Sequence, residues 1–297
     1  MRGIRIILAA TLVLGALTTS LWASWQRSET SDISVVAQTA ADMAARLGGP
    51  GAVLLVFDVD NTLLKSSASL GSDQWYGWQD ELLKRAATGS PSPYLVACDG
   101  QGLLAVQGIL FEIGSMVPAD PRTPDVIRRL QGQGFKVMAL TSRGTDLRDA
   151  TLRELRRNGY DLGAAAPGAA RPATFTFRAE DRPVSYSDGL FLSAGQDKGR
   201  MLASFLAQLG PEQGTKGLIF VDDSPGKVSQ VEEAFKASKL EVVGFRYGRE
   251  DSVVSDFRMN RDGVQDLVKS QWERLKAVLH DVWDWEACPR ALERAIR

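Results

Sequence analysis

Apolar and polar positions along this chain fall into blocks that read as alternating strands and helices. Residues 52–58, 135–141 and 217–222 are nearly continuous runs of Val, Leu, Ile, Phe and Met, the pattern of strands covered on both faces. Residues 124–132, 145–158 and 226–238 instead repeat apolar positions at the three-to-four spacing of amphipathic helices. A further strand is expected at 240–246 and a long amphipathic helix at 264–280. This alternation predicts an α/β fold, a Rossmann-like three-layer α/β/α arrangement on a parallel sheet with right-handed crossovers. Upstream, 32–47 reads as a helix stopped by Gly48-Gly49-Pro50. Residues 24–49 are thus read as an N-terminal helical segment, and 50–297 as the domain proper.

The pattern breaks in three places. Thr141 lies 81 positions after Asp60, more than one crossover needs, so part of 66–118 is expected to form a small inserted cap. Residues 163–194 are rich in Ala, Pro and Gly and lead into VSYSDGLFLS, a hairpin turning at Gly189. At the start, Arg2 and Arg5 precede a run without charge up to Arg27. Residues 1–23 read as a signal peptide, or as a membrane anchor if residues 4–25 stay uncleaved. Either reading makes the protein exported, periplasmic or extracellular. A lipid anchor is excluded, because the apolar run carries no cysteine.

Composition narrows the partners. The 35 basic residues against 36 acidic ones leave a net charge of -1, which argues against nucleic acid as a structural partner. A membrane would be met only through the N-terminal segment. The cysteines Cys98 and Cys288 can pair in an exported chain or remain two buried thiols, and spacing does not decide between them. The single histidine, His280, leaves histidine phosphatases, Ser-His-Asp hydrolases and His-rich zinc sites without their parts. Cys288 and Arg294 have the spacing of cysteine-dependent phosphatases, but CPRALER lacks the glycine-rich strand-to-helix loop that chemistry uses. A phosphate-binding P-loop is absent too: Gly226-Lys227 is followed by Val228, and position 221 is also valine.

Chemistry concentrates at strand ends. Asp58 and Asp60, followed by Thr62, close the first strand; Thr141-Ser142-Arg143 close the second; Asp222-Asp223 close the third; Lys198 opens a helix between the last two. Any one of these could be a turn or a helix cap. Together they bring acids, hydroxyls and a lysine to the carboxyl edge of a sheet, where open α/β folds bind ligands, and they suggest a magnesium-dependent phosphoryl-transfer site.

In this order the four pieces resemble the motifs of the haloacid dehalogenase (HAD) superfamily of phosphotransferases, over about residues 50–250. VFDVDNT matches its D-x-D-x-T motif, VMALT its second motif at Thr141, Lys198 in GQDKGRMLASFL its lysine, and LIFVDD its paired acids. The chain also resembles exported bacterial HAD proteins of poorly defined activity. The resemblance implies Asp58 as nucleophile, forming an aspartyl-phosphate, and Asp60 as acid and base for the leaving oxygen and the attacking water. It implies Mg²⁺ held by Asp58, the Asp60 carbonyl and Asp222, with Asp223 ordering the metal shell. Lys198 would screen phosphoryl charge, and Thr141 with its neighbour Ser142 would hold phosphate oxygens.

Arg143 is close enough to Thr141 to reach a substrate anion, with a solvated role as the alternative. Thr62 is expected to steady the turn after the strand. Trp75, Tyr76 and Trp78 either pack one face of a helix or line a substrate pocket. The expected activity is hydrolysis of a small phosphomonoester. Transfer to an alcohol acceptor would use the same motifs, and a silent periplasmic scaffold of this fold is the reading from another class. The cap region carries no readable substrate code.

Overall fold

The computed structural model describes residues 25–168, 174–210 and 214–288, so the apolar run read as an export segment and Arg294 lie outside the described residues. Its centre is a seven-stranded sheet. In chain order the strands are β1 (Trp25–Thr30), β2 (Val53–Phe57), β5 (Lys136–Thr141), β6 (Ser185–Ser187), β7 (Leu190–Leu192), β8 (Gly217–Asp222) and β9 (Glu241–Tyr247). Across the sheet they run β1-β9-β8-β2-β5-β7-β6, all parallel except the terminal β6–β7 hairpin. That hairpin turns through Asp188 and Gly189, both at positive φ, as a two-residue turn of its hand requires.

The unbroken apolar runs follow from burial on both faces. Val53, Leu55 and Phe57 point to one side with Val137 and Ala139, against helices α1 (Ile33–Leu47), α4 (Thr123–Gly132) and α5 (Arg148–Arg157). Leu54 and Val56 point to the other with Leu218 and Phe220, against α6 (Lys198–Leu209) and α7 (Pro225–Phe235). The result is a three-layer α/β/α fold of Rossmann type. Side chains alternate along each strand, so either layer would lose its partner if a strand slipped by one residue.

Two expectations need correction. The N-terminal segment 24–49 is not only helical: Trp25–Thr30 forms β1, which adds to the sheet beside β9 from Trp25↔Val242 to Thr30↔Tyr247. WQRSET has no strand periodicity, and pairing with β9 supplies the hydrogen bonds that make it a strand. The domain therefore starts upstream of residue 50.

The insertion leaves through the two-stranded antiparallel ribbon β3 (Leu64–Ser66) and β4 (Met116–Pro118). Between these lie α2 (Asp73–Ala87) and α3 (Gly100–Ile113). This small helical cap shares an apolar cluster with the C-terminal helices α8 (Asp251–Arg258) and α9 (Val264–Trp283). Trp75, Leu103, Val106 and Leu110 pack there on Phe257, Val268 and Trp272. Cys98 and Cys288 form a disulfide, Cα atoms 5.4 Å apart, that ties the cap to the chain after α9. No described helix is long and apolar enough to cross a membrane.

Candidate active site

Strand register assembles the site. β2 pairs with β8 so that Phe57 lies beside Val221, and one residue further Asp58 and Asp222 emerge side by side. The Asp58 N–H still donates to the Val221 carbonyl at 2.8 Å, which holds the first turn of the loop against β8. On the other flank Phe57 pairs with Ala139, so Thr141 ends its strand at the same edge. Asn61 then takes the left-handed conformation, φ 56°, which asparagine tolerates better than most residues. The turn it makes directs Thr62 across to β8, where the Thr62 hydroxyl accepts from the Asp223 N–H at 3.2 Å.

Lys198 arrives by a different route. The loop after β7 is laced to the loop after β5: Ser193 donates through N–H and hydroxyl to the Thr141 carbonyl, Ala194 N–H to the Arg143 carbonyl, and Gly195 N–H to the Ser142 carbonyl. Asp197 caps α6 through the Arg200 N–H, which leaves Lys198 as the first helical residue. Its N–H donates to Gln230 Oε1 of α7 at 3.0 Å. The next residue must be glycine, because a Cβ at Gly199 would collide with the Gln230 carbonyl.

The Lys198 side chain, 1% exposed, reaches back to the edge of the sheet. Its Nζ lies 2.6 Å from Asp58 Oδ1 and 2.7 Å from Asp222 Oδ2. The other Asp222 oxygen accepts the Ser224 N–H at 2.9 Å. Asp58 Oδ2 accepts no hydrogen bond among the described residues, which leaves it available to a ligand or an electrophile.

The cluster holds more negative charge than its cations balance. Asp58, Asp222 and Asp223 each offer an oxygen, and all three oxygens lie within 4.8 Å of one another. Burial, then repulsion from Asp222 and Asp60, outweighs the attraction of Lys198 and lifts the Asp58 carboxyl to about 8. Burial, then repulsion from Asp58 and Asp73, lifts Asp223 to about 9. For Lys198 burial works downward, but Asp222 and Asp58 override it and hold the ammonium above the usual lysine value. Three carboxylate oxygens this close to one another can share a cation. An all-carboxylate donor set suits a hard, oxygen-seeking divalent cation.

Each residue singled out in the sequence is therefore accounted for. Asp58, Asp222, Asp223, Lys198 and Thr141 share the edge of the sheet, and Ser142, half-buried, sits in the loop beside them. The Asp60 carboxylate does not join the three-acid group. It is gripped by Arg143, with Nε at 3.0 Å from Oδ2 and Nη2 at 2.7 Å from Oδ1. Arg143 is spent within the protein, and holding a substrate anion would require Asp60 to let it go. Trp75 is 1% exposed inside the cap, and Trp78 packs on Tyr94 and Phe257, so the aromatic group serves packing. The sulfur of Cys288 is bonded to Cys98, which removes it as a nucleophile.

Two residues at the site escaped sequence reasoning. Asn61 Nδ2 reaches Asp223 at 3.4 Å and Asp73 at 3.5 Å, linking the first strand end to the cap. Asp73, exposed at the first turn of α2, stands at the mouth of the site within reach of Asn61. Its only local signal was Ser72 capping a helix that begins with an acid, which is ordinary for a helix start.

The chain is 21% identical over 193 residues to a Chlamydia pneumoniae protein bearing the provisional name of an outer membrane protein, covering 65% of this chain and 68% of that one. A family model matches residues 28–283, from within β1 to the end of α9. The chain belongs to the family described as "Protein of unknown function (DUF2608)".

Proposed function

We propose that this protein is an exported, Mg²⁺-dependent phosphomonoesterase of HAD type that works through an aspartyl-phosphate on Asp58. The observation that carries this reading is the group of three carboxylates within 4.8 Å, with Lys198 bridging two of them. Export is supported by the apolar N-terminal run and by the name of the chlamydial relative.

Asp58, Asp222 and Asp223 would hold the cation, which when bound neutralises phosphoryl charge and orients the phosphate. Asp58 Oδ2 attacks phosphorus while Lys198 holds Oδ1 and offsets charge on the phosphoryl oxygens. The Thr141 hydroxyl and backbone N–H groups of the adjoining loops bind those oxygens. Asp60 protonates the departing alcohol and then takes a proton from the water that cleaves the aspartyl-phosphate.

Purified protein assayed on an aryl phosphate with and without Mg²⁺, between pH 5 and 9, tests the reading. Hydrolysis that needs Mg²⁺ and disappears in Asp58→Asn is the expected result. No turnover, or full turnover by Asp58→Asn, would refute it. Phosphorylated alcohol formed beside free phosphate would instead identify a transferase using the same residues.

A further inference from the structure

Arg143 leaves β5 two residues after Thr141 and turns inward, its side chain 5% exposed. Nε and Nη2 hold both oxygens of Asp60 in a bidentate fork. Behind the fork, Nη1 donates to Thr151 Oγ1 of α5 at 2.8 Å, and Nη2 lies 3.2 Å from Met116 Sδ of β4. The guanidinium carbon sits 4.0 Å from the centroid of the Phe111 ring on α3, within cation–π range. One side chain thus touches the Asp60 carboxylate, the core helix α5 and two residues of the cap.

We infer that Arg143 is a positioning residue that fixes the orientation of Asp60 and makes that orientation depend on how the cap is seated. This rests on the acid and base role proposed for Asp60. A carboxylate held at both oxygens cannot turn about its last torsion. Arg143 takes up one lone-pair position on each Asp60 oxygen, so the remaining positions, from which the carboxyl can give or take a proton, point where the fork aims them, and the contacts behind Arg143 hold that aim. Thr151 anchors it from the core, while Phe111 and Met116 press on it from the cap. A cavity of about 310 Å³ lies on the cap side, bounded by Arg143, Leu110, Phe111, Met116 and, from α9, Gln271 and Leu275. The cap is therefore not packed solid behind the stack, and a shift of α3 reaches Asp60 through this one guanidinium. Lysine cannot replace it, since an ammonium has neither a planar fork nor a stacking face.

The test compares kcat/KM, which reports the steps through phosphoryl transfer to Asp58, for a good leaving group (4-nitrophenyl phosphate) and a poor one (an alkyl phosphate). Wild type, Arg143→Lys, Arg143→Met and Phe111→Leu are assayed with Mg²⁺, and thermal unfolding checks that each is folded. Losing orientation of the acid should cost roughly 10- to 100-fold on the alkyl phosphate and under about 3-fold on the nitrophenyl ester for both Arg143 variants. Phe111→Leu, which touches neither Asp60 nor the three-acid group, should shift the same ratio by about 3- to 10-fold if a looser stack misplaces the acid partway. Equal losses on both substrates, or no loss in Arg143→Met, would overturn the positioning role. An unchanged ratio in Phe111→Leu would overturn the dependence on the cap. Wild-type protein inactive on both esters would refute the phosphatase reading itself, and the inference with it.

Discussion

Raising the pH of the metal-free protein from 5 to 7 should weaken it. Asp58 holds its proton up to about pH 8 in the folded chain, against an ordinary value of 3.8 when unfolded. Between those limits unfolding releases a proton, so rising pH favours the unfolded state. Each pH unit in that window costs about 1.4 kcal/mol, so Asp58 alone removes on the order of 3 kcal/mol between pH 5 and 7. Asp223, lifted to about 9, works in the same direction. Asp32 and Asp120, held low by hydrogen bonds from Ser34 and Arg122, have the opposite sign, but their contribution is complete above about pH 5.

The assay is thermal unfolding in EDTA at pH 5, 6 and 7, repeated with excess Mg²⁺. A chain of this size shifts Tm by about 2–4 °C per kcal/mol, so Asp58 alone should account for a loss of roughly 6–12 °C over that range in wild type. Asp58→Asn should be clearly less sensitive to pH, because its amide does not titrate. Mg²⁺ at 100 times its Kd should return about 2.7 kcal/mol at pH 7, and little at pH 5, where protons compete for the ligands. A metal-free wild type as stable at pH 7 as at pH 5, or an Asp58→Asn variant with the wild-type pH slope, would refute the charge argument.

Further expected outcomes concern single changes. Lys198→Met leaves Asp58 and Asp222 facing each other without their shared cation; it should cost about 3–5 kcal/mol in denaturant unfolding without metal, and Mg²⁺ should recover part of that. Asp60→Asn should slow alkyl phosphates more than nitrophenyl phosphate by about 10²-fold or more in kcat/KM, and an equal loss on both would count against its acid role. Replacing Cys98 and Cys288 together with serine opens a link spanning 190 positions and should lower stability by roughly 2–5 kcal/mol; unchanged unfolding would show that the apolar cluster alone holds the cap. Gly199→Ala should slow turnover by pushing α6 away from Gln230 and moving Lys198, seen as a raised KM or lowered kcat with little change in secondary structure by circular dichroism.

Much of the molecule was legible because its signals are local. Strands β2, β5 and β8 were visible as apolar runs, since a strand buried on both faces has no polar position to hide it. Their ends carried Asp58, Thr141 and Asp222, because polar side chains can stay only where the strand leaves the core. β1 was not legible, as WQRSET becomes a strand only beside β9. Asp73 was hidden too, because a helix-opening acid looks the same whether it faces water or a site.

By itself, then, the amino-acid order determined the alternation of strands and helices, the carboxylates at their ends, and the presence of an insertion between Asp60 and Thr141. Only the tertiary structure decided what those groups touch. Parallel register set Asp58 beside Asp222, close packing of α6 on α7 drew Lys198 between them, and the cap gave Arg143 to Asp60. The reason is physical: hydropathy and turn chemistry act over a few residues, whereas charge pairing depends on distances that packing of remote segments alone creates.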